Sequence, residues 1–107
     1  MSLPEPTIVH VPLGGRAYDV MIGPGLIDRA GTIIAERLGN RRIGIVTDAN
    51  LARTHLDAVV ASLAPGHHAG TVILEPGEKT KAFAQLQLVC ERLLEMGLER
   101  GDLVIAL

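Results

Sequence analysis

Aromatic side chains are almost missing from this sequence: Tyr18 and Phe83 are the whole complement, with no tryptophan. No platform of rings exists on which bases could stack, so single-strand nucleic-acid binding of that kind is excluded. Cysteine is just as scarce. Cys90 stands alone, which rules out an internal disulfide and a Cys-rich zinc site. No excess of positive charge is present: twelve acids against ten bases give a net charge of −2. There is no basic field to draw the chain onto nucleic acid or an anionic membrane. No apolar run approaches the roughly 20 residues that a membrane helix needs. The start, Met1-Ser2-Leu3-Pro4-Glu5-Pro6, has neither the basic nor the apolar region of a secretory signal, and a cytoplasmic location is expected. What remains is ordinary globular material. The chain has 107 residues, enough for one domain, with 48% apolar and 21% charged residues, so its core must be built from Leu, Ile, Val and Ala.

The hydrophobic period changes along the chain. Thr7 to Leu13 and Tyr18 to Ile22 alternate as strands, and Gly14-Gly15 between them marks a hairpin. From Leu26 the spacing turns helical through Ile27, Ala30, Ile33, Ile34 and Leu38, with Gly39-Asn40 as a stop. Ile43-Gly44-Ile45-Val46-Thr47 is a short apolar run of the kind found in buried parallel strands. Asn50 is a candidate N-cap for a helix marked by Ala52, Leu56, Val59, Val60 and Leu63. Thr71 to Leu74 is the next strand. A longer helix is expected from about Thr80 to Met96, with Phe83, Leu86, Val89, Cys90, Leu93 and Met96 on one face. Asp102 to Leu107 closes the series as a strand. The order β-β-α-β-α-β-α-β predicts an α/β fold, a Rossmann-like parallel sheet layered with helices, with the N-terminal β-hairpin at one edge.

In open α/β sheets ligands bind beyond the carboxyl ends of the strands. The sequence stops at the end of an apolar strand, where such a site would begin, which points to a piece of a longer enzyme. Three loops deserve comparison. Gly23-Pro24-Gly25-Leu26-Ile27-Asp28 begins like the dinucleotide fingerprint G-x-G-x-x-G, but Asp28 replaces the third glycine and Pro24 lacks an N–H; the alternative is a tight turn. In Asp48-Ala49-Asn50, a carboxylate at a strand tip can accept the hydroxyl protons of a ribose, and Asn50 adds a donor and an acceptor. Simple helix capping explains the same residues. In Glu75-Pro76-Gly77-Glu78-Lys79-Thr80-Lys81, Gly77 permits close approach of the backbone, Glu78 can accept from ribose hydroxyls and Lys81 can neutralise phosphate. A solvated helix start is the alternative there, and the run is not a Walker A loop. The histidines, His10, His55 and the pair His67-His68, lack metal-ligand spacing, and Cys90 is expected to be an inert core residue.

Ile45-Val46-Thr47-Asp48-Ala49-Asn50, then Glu75 to Lys81, then Arg100-Gly101-Asp102-Leu103-Val104-Ile105-Ala106-Leu107 together resemble the N-terminal part of the 3-dehydroquinate synthase family. The resemblance covers nearly the whole chain. It departs from the family pattern at Ala82, where serine is frequent. It implies a cytoplasmic, homodimeric shikimate-pathway lyase that uses NAD and a divalent metal, zinc or cobalt. That enzyme converts a sugar phosphate, 3-deoxy-D-arabino-heptulosonate 7-phosphate, to 3-dehydroquinate and phosphate. By the same resemblance Asp48 and Asn50 hold the adenosine side of NAD. Glu78, Lys79, Thr80 and Lys81 form a second contact segment around the ribose hydroxyls. The glycine-rich pyrophosphate loop, the metal ligands and the substrate-binding residues of the family lie downstream of Leu107. No catalytic or metal residue therefore carries over, and this stretch alone is expected to be inactive. Other sugar-phosphate cyclases and NAD-linked polyol dehydrogenases share the pattern more distantly. A stand-alone flavodoxin-like module is the non-enzymatic alternative.

Overall fold

A computed structural model describes residues 5–63, 65–75 and 83–107. β1 (Thr7–Val11) and β2 (Tyr18–Ile22) pair antiparallel, with Val9 opposite Val20 and His10 opposite Asp19. A 3₁₀ turn at Gly14–Arg16 joins them, and the hairpin forms its own two-stranded sheet. A second 3₁₀ turn, Ile27–Arg29, leads into α1 (Ala30–Leu38). Then follow β3 (Ile43–Asp48), α2 (Ala49–Thr54), α3 (Leu56–Ser62), β4 (His68–Leu74), α4 (Phe83–Glu95) and β5 (Leu103–Ala106). The last three strands form a parallel sheet in the order β4-β3-β5. This is the Rossmann-like arrangement the alternation of strands and helices predicts, with a hairpin preceding it.

β3 is central because its sequence suits burial on both sides. Strand side chains alternate between faces. Ile43 and Ile45 therefore share one face, where they meet Val59 and Leu63 of the α3 segment, Ile34 of α1, and Leu103 and Ile105 of β5. Ile45 and Val59 are almost fully enclosed. The opposite face is shaped by a side-by-side pair of glycines. Gly44 of β3 stands in register with Gly70 of β4. Leu93, Met96 and Leu98, from α4 and the turn after it, lie within contact distance of where a Cβ on one or other glycine would be.

The helix boundaries differ from the sequence expectation in instructive ways. The helix expected around Ala52 to Leu63 is broken at His55 into α2 and α3. Asp48, not Asn50, is the N-cap of α2, its Oδ1 accepting the Leu51 N–H at 2.9 Å. The inward apolar residues here are Val89 and Leu93 of α4 and Met96 just after it. Phe83 and Leu86 are exposed, and Cys90 is exposed rather than in the core. Of the expected helix start, residues 80–82 lie outside the described residues.

Three arginines and one glycine close the joints. Gly39 ends α1 at φ 82°, a left-handed value that a Cβ resists. Arg42 donates to the carbonyls of Met96 (2.9 Å) and Gly97 (3.0 Å), placing a cation at the end of α4 where the helix dipole favours one. Arg41 ties the Leu38 carbonyl (2.8 Å) to that of Gly101 (2.6 Å). Arg37 of α1 donates to Asp19 Oδ2 at 2.7 Å, while His10 Nδ1 meets Asp19 Oδ1 at 2.8 Å. This bridge holds the hairpin to α1.

Asp19 carries a pH prediction. The Arg37 hydrogen bond first, then that of His10, holds its carboxyl below the usual carboxylate range. The lowered group stabilises the fold above its unfolded pKa, and that contribution disappears as pH falls through the lower folded value. Hairpin amide exchange at constant intrinsic rate should therefore accelerate below about pH 4 in the native chain. In Asp19→Asn it should already be fast at neutral pH and lack that acid step. An unchanged acid step in the variant would assign it to another carboxylate.

Candidate functional site

The parallel sheet gathers the carboxyl ends of β3, β4 and β5 on one edge. Register puts Asp48 beside Leu74, and Val46 beside Ala106. The Leu107 N–H continues the ladder to the Val46 carbonyl at 3.0 Å. β4 thus ends beside Asp48, one residue before the last described residue of that stretch, Glu75. Glu78, Lys79, Thr80 and Lys81, the second sequence-predicted contact segment, lie outside the described residues.

Asp48 sits at the tip of β3 and is half-buried. Both readings of it can hold together. Oδ1 is fixed by the Leu51 N–H, which leaves the Oδ2 lone pairs as acceptors. Asn50 lies in the first turn of α2 and is exposed. Its Oδ1 accepts from Arg53 Nη2 at 2.8 Å, so its amide protons remain as donors. Its backbone carbonyl accepts the Thr54 hydroxyl at 3.1 Å. An acceptor on Asp48 and a donor on Asn50, both adjoining the strand tip, form a donor set suited to sugar hydroxyls. That chemistry fits the adenosine half of a dinucleotide. Thr47, one residue earlier, is buried on the core face, and its hydroxyl has no partner among the described residues. The sequence reading did not single it out, since its burial follows from packing.

Other features stand apart from this edge. Gly23-Pro24-Gly25 leaves β2, an antiparallel hairpin strand, and Gly25 (φ 73°) makes the turn into the 3₁₀ segment. The dinucleotide fingerprint needs a parallel strand feeding a helix, so the turn reading accounts for this loop. A groove of about 610 Å³ lies between the hairpin and α1, with Tyr18, Met21, Ile33 and Leu38 in its lining. It shares no residue with the carboxyl edge. Among the described residues no three His, Cys, Asp or Glu side chains converge as metal ligands, and no helix is long and apolar enough to cross a membrane.

A three-stranded parallel sheet, helices on both faces and polar side chains at the strand tips define the class: a Rossmann-like α/β domain. No protein-family model matches the chain. Individual proteins do. It is 59% identical over 100 residues to a 3-dehydroquinate synthase of Rhizobium etli, covering 92% of this chain and 26% of that protein. It is 51% identical over 107 residues to one from Rhizobium rhizogenes, covering 99% of this chain and 28% of the relative. A 3-dehydroquinate synthase of Brucella ovis is 47% identical over 107 residues, with the same coverage. The chain belongs to the 3-dehydroquinate synthase family, as an N-terminal segment. It spans little more than a quarter of the length of the curated relatives it matches.

Proposed function

We propose that this domain is the NAD-binding portion of 3-dehydroquinate synthase, the shikimate-pathway lyase that turns 3-deoxy-D-arabino-heptulosonate 7-phosphate into 3-dehydroquinate and phosphate. The observation that carries the reading is the carboxyl edge: Asp48, anchored through Oδ1 to Leu51, stands at the tip of β3 beside the strand end that leads into segment 76–82. Similarity of 47–59% to proteins of that name supports it.

In this reading Asp48 Oδ2 accepts from the adenosine ribose and the Asn50 amide donates to the same half of the cofactor. Glu78, Lys79, Thr80 and Lys81 supply the second contact. When bound, NAD supplies a temporary hydride acceptor. The protein's part here is to hold the adenosine end in one place, so that no rotational freedom remains to be lost at each turnover. Metal ligands and substrate contacts come from the portion of the enzyme outside this segment, and the homodimer and the sugar-phosphate substrate belong to the complete enzyme.

The test is phosphate release from the heptulosonate phosphate, with NAD and zinc or cobalt present. The full reading frame that encodes this segment should release phosphate in an NAD-dependent manner. The 107-residue chain should give only background. Turnover by the short chain, or none by the full frame under conditions where it is folded, would refute the assignment.

A further inference from the structure

We propose that the bare apolar face shared by α4 and β5 is a docking surface for the rest of the protein, and that its occupant is the helix following β5 in the full reading frame. The inference rests on the family membership shown above and not on the nucleotide reading. On α4, Phe83, Leu86, Cys90 and Leu94 recur at intervals of three and four residues, so they form one stripe along the helix. All four are exposed, Leu86 by 57% and Leu94 by 73%. On β5, Val104 and Ala106 stand opposite Gly44 and Val46, on the side of the sheet that α4 covers. Both are exposed, Val104 by 53%. α4 therefore lies over β4 and the paired glycines and leaves this side of β5 open.

Leu103-Val104-Ile105-Ala106 is apolar at every position, the composition of a parallel strand covered on both faces. Leu103 and Ile105 pack on the core, so one face is covered and the other waits. Handedness says what arrives there. From β4 through α4 to β5 the chain passes across β3 and sets α4 on the glycine side. Among the described residues β5 pairs only with β3, so its outer edge is free. A next strand on that edge continues in the same direction. Connections between parallel strands are right-handed in about 98% of cases, which puts the connecting helix on the glycine side again, over Val104 and Ala106 and beside α4. Helices packed side by side lie about 8–10 Å apart, close enough for that helix to bury Leu86, Cys90 and Leu94. This segment is only 26–28% of the length of its relatives, so chain to build the element exists. A second copy seated on the stripe would stand where that connection must run.

Cys90, in the middle of the stripe, reports on the cover. Its alkylation by N-ethylmaleimide is followed by mass spectrometry of the Cys90 peptide in the 107-residue chain and in the full protein, each folded and denatured. In the folded short chain the thiol should react within about tenfold of the denatured rate, and in the folded full protein at least about a hundredfold more slowly than when denatured. That slowing should be unchanged on dilution. Leu94→Glu gives an independent reading. It should move the melting temperature of the short chain by no more than about 2 °C and lower that of the full protein by about 4 °C or more. A Cys90 that reacts in the folded full protein as fast as in the short chain overturns the proposal. Protection that fades on dilution, or a short chain that is itself a dimer with a protected thiol, assigns the face to a second copy and overturns it as well. Should Leu94→Glu fail to fold in the full protein, the Cys90 rates decide alone, because they are measured on the native sequence. Neither measurement reads nucleotide, so the NAD reading stands or falls separately by phosphate release.

Discussion

Gly31→Ala is expected to destabilise the domain by about 3 kcal/mol or more and to lower its melting temperature by about 12 °C or more. Alanine is ordinarily the better helix former, by up to about 1 kcal/mol, so the sign alone is diagnostic. The cause is contact between backbones. A Cβ on Gly31 would fall onto the carbonyl group of Ser62 and lie 2.7 Å from the Leu63 nitrogen. Backbone atoms have no rotamer to adopt, so α1 and the end of α3 must separate, opening the core around Leu63 and Ile34. The same joint carries two polar contacts: the Gly31 N–H donates to Ser62 Oγ at 2.8 Å, and that hydroxyl donates to the Val59 carbonyl at 2.6 Å. Ser62→Ala should cost about 1 kcal/mol and should not rescue Gly31→Ala, because the obstruction is the carbonyl and not the hydroxyl. A Gly31→Ala melt equal to that of the native chain would mean that the two helices part freely.

Gly44→Val should cost about 2 kcal/mol, on the other face of the sheet. Valine is a good strand residue, so propensity again argues for the opposite sign. A Cβ at Gly44 would stand 2.7 Å from Leu98 Cδ1 and 3.1 Å from Leu93 Cδ2. Both are branched side chains confined beneath α4. Gly70→Ala should be milder, under about 1 kcal/mol, since its Cβ meets the Met96 side chain at 3.0 Å and a thioether chain can fold away. Denaturant titration of the two variants ranks them, and the reverse order would contradict the packing of α4 described above.

The order of strands and helices was legible because the hydrophobic period is strong. Ile43 to Thr47 is too apolar and too short for anything but an interior strand, and it lies at the centre of the sheet. What the period could not resolve was which way α4 turns. Phe83, Leu86, Val89, Cys90, Leu93 and Met96 cover so wide an arc that several rotations bury half of them. The choice falls to Gly44 and Gly70, which are distant in sequence and open space only for Leu93, Met96 and Leu98. The cap of α2 was ambiguous for a local reason: Asp48 and Asn50 are equally good capping residues. The end of β3 decides between them, because the ladder runs through Asp48 and the helix starts at Ala49. The break at His55 has no Gly or Pro to announce it. Of the candidate site, the aspartate at the strand tip was visible in the sequence. Its anchoring by the Leu51 N–H, which engages one carboxylate oxygen and leaves the other outside the cap, needed coordinates.

Amide hydrogen exchange on the full reading frame, read by mass spectrometry with and without NAD, maps the nucleotide onto the fold. Protection is expected in residues 48–51 at the tip of β3 and the start of α2, and in segment 76–82. The hairpin and its groove against α1 should exchange as before. Protection confined to that groove, with the end of β3 unaffected, would contradict a cofactor held at the carboxyl edge.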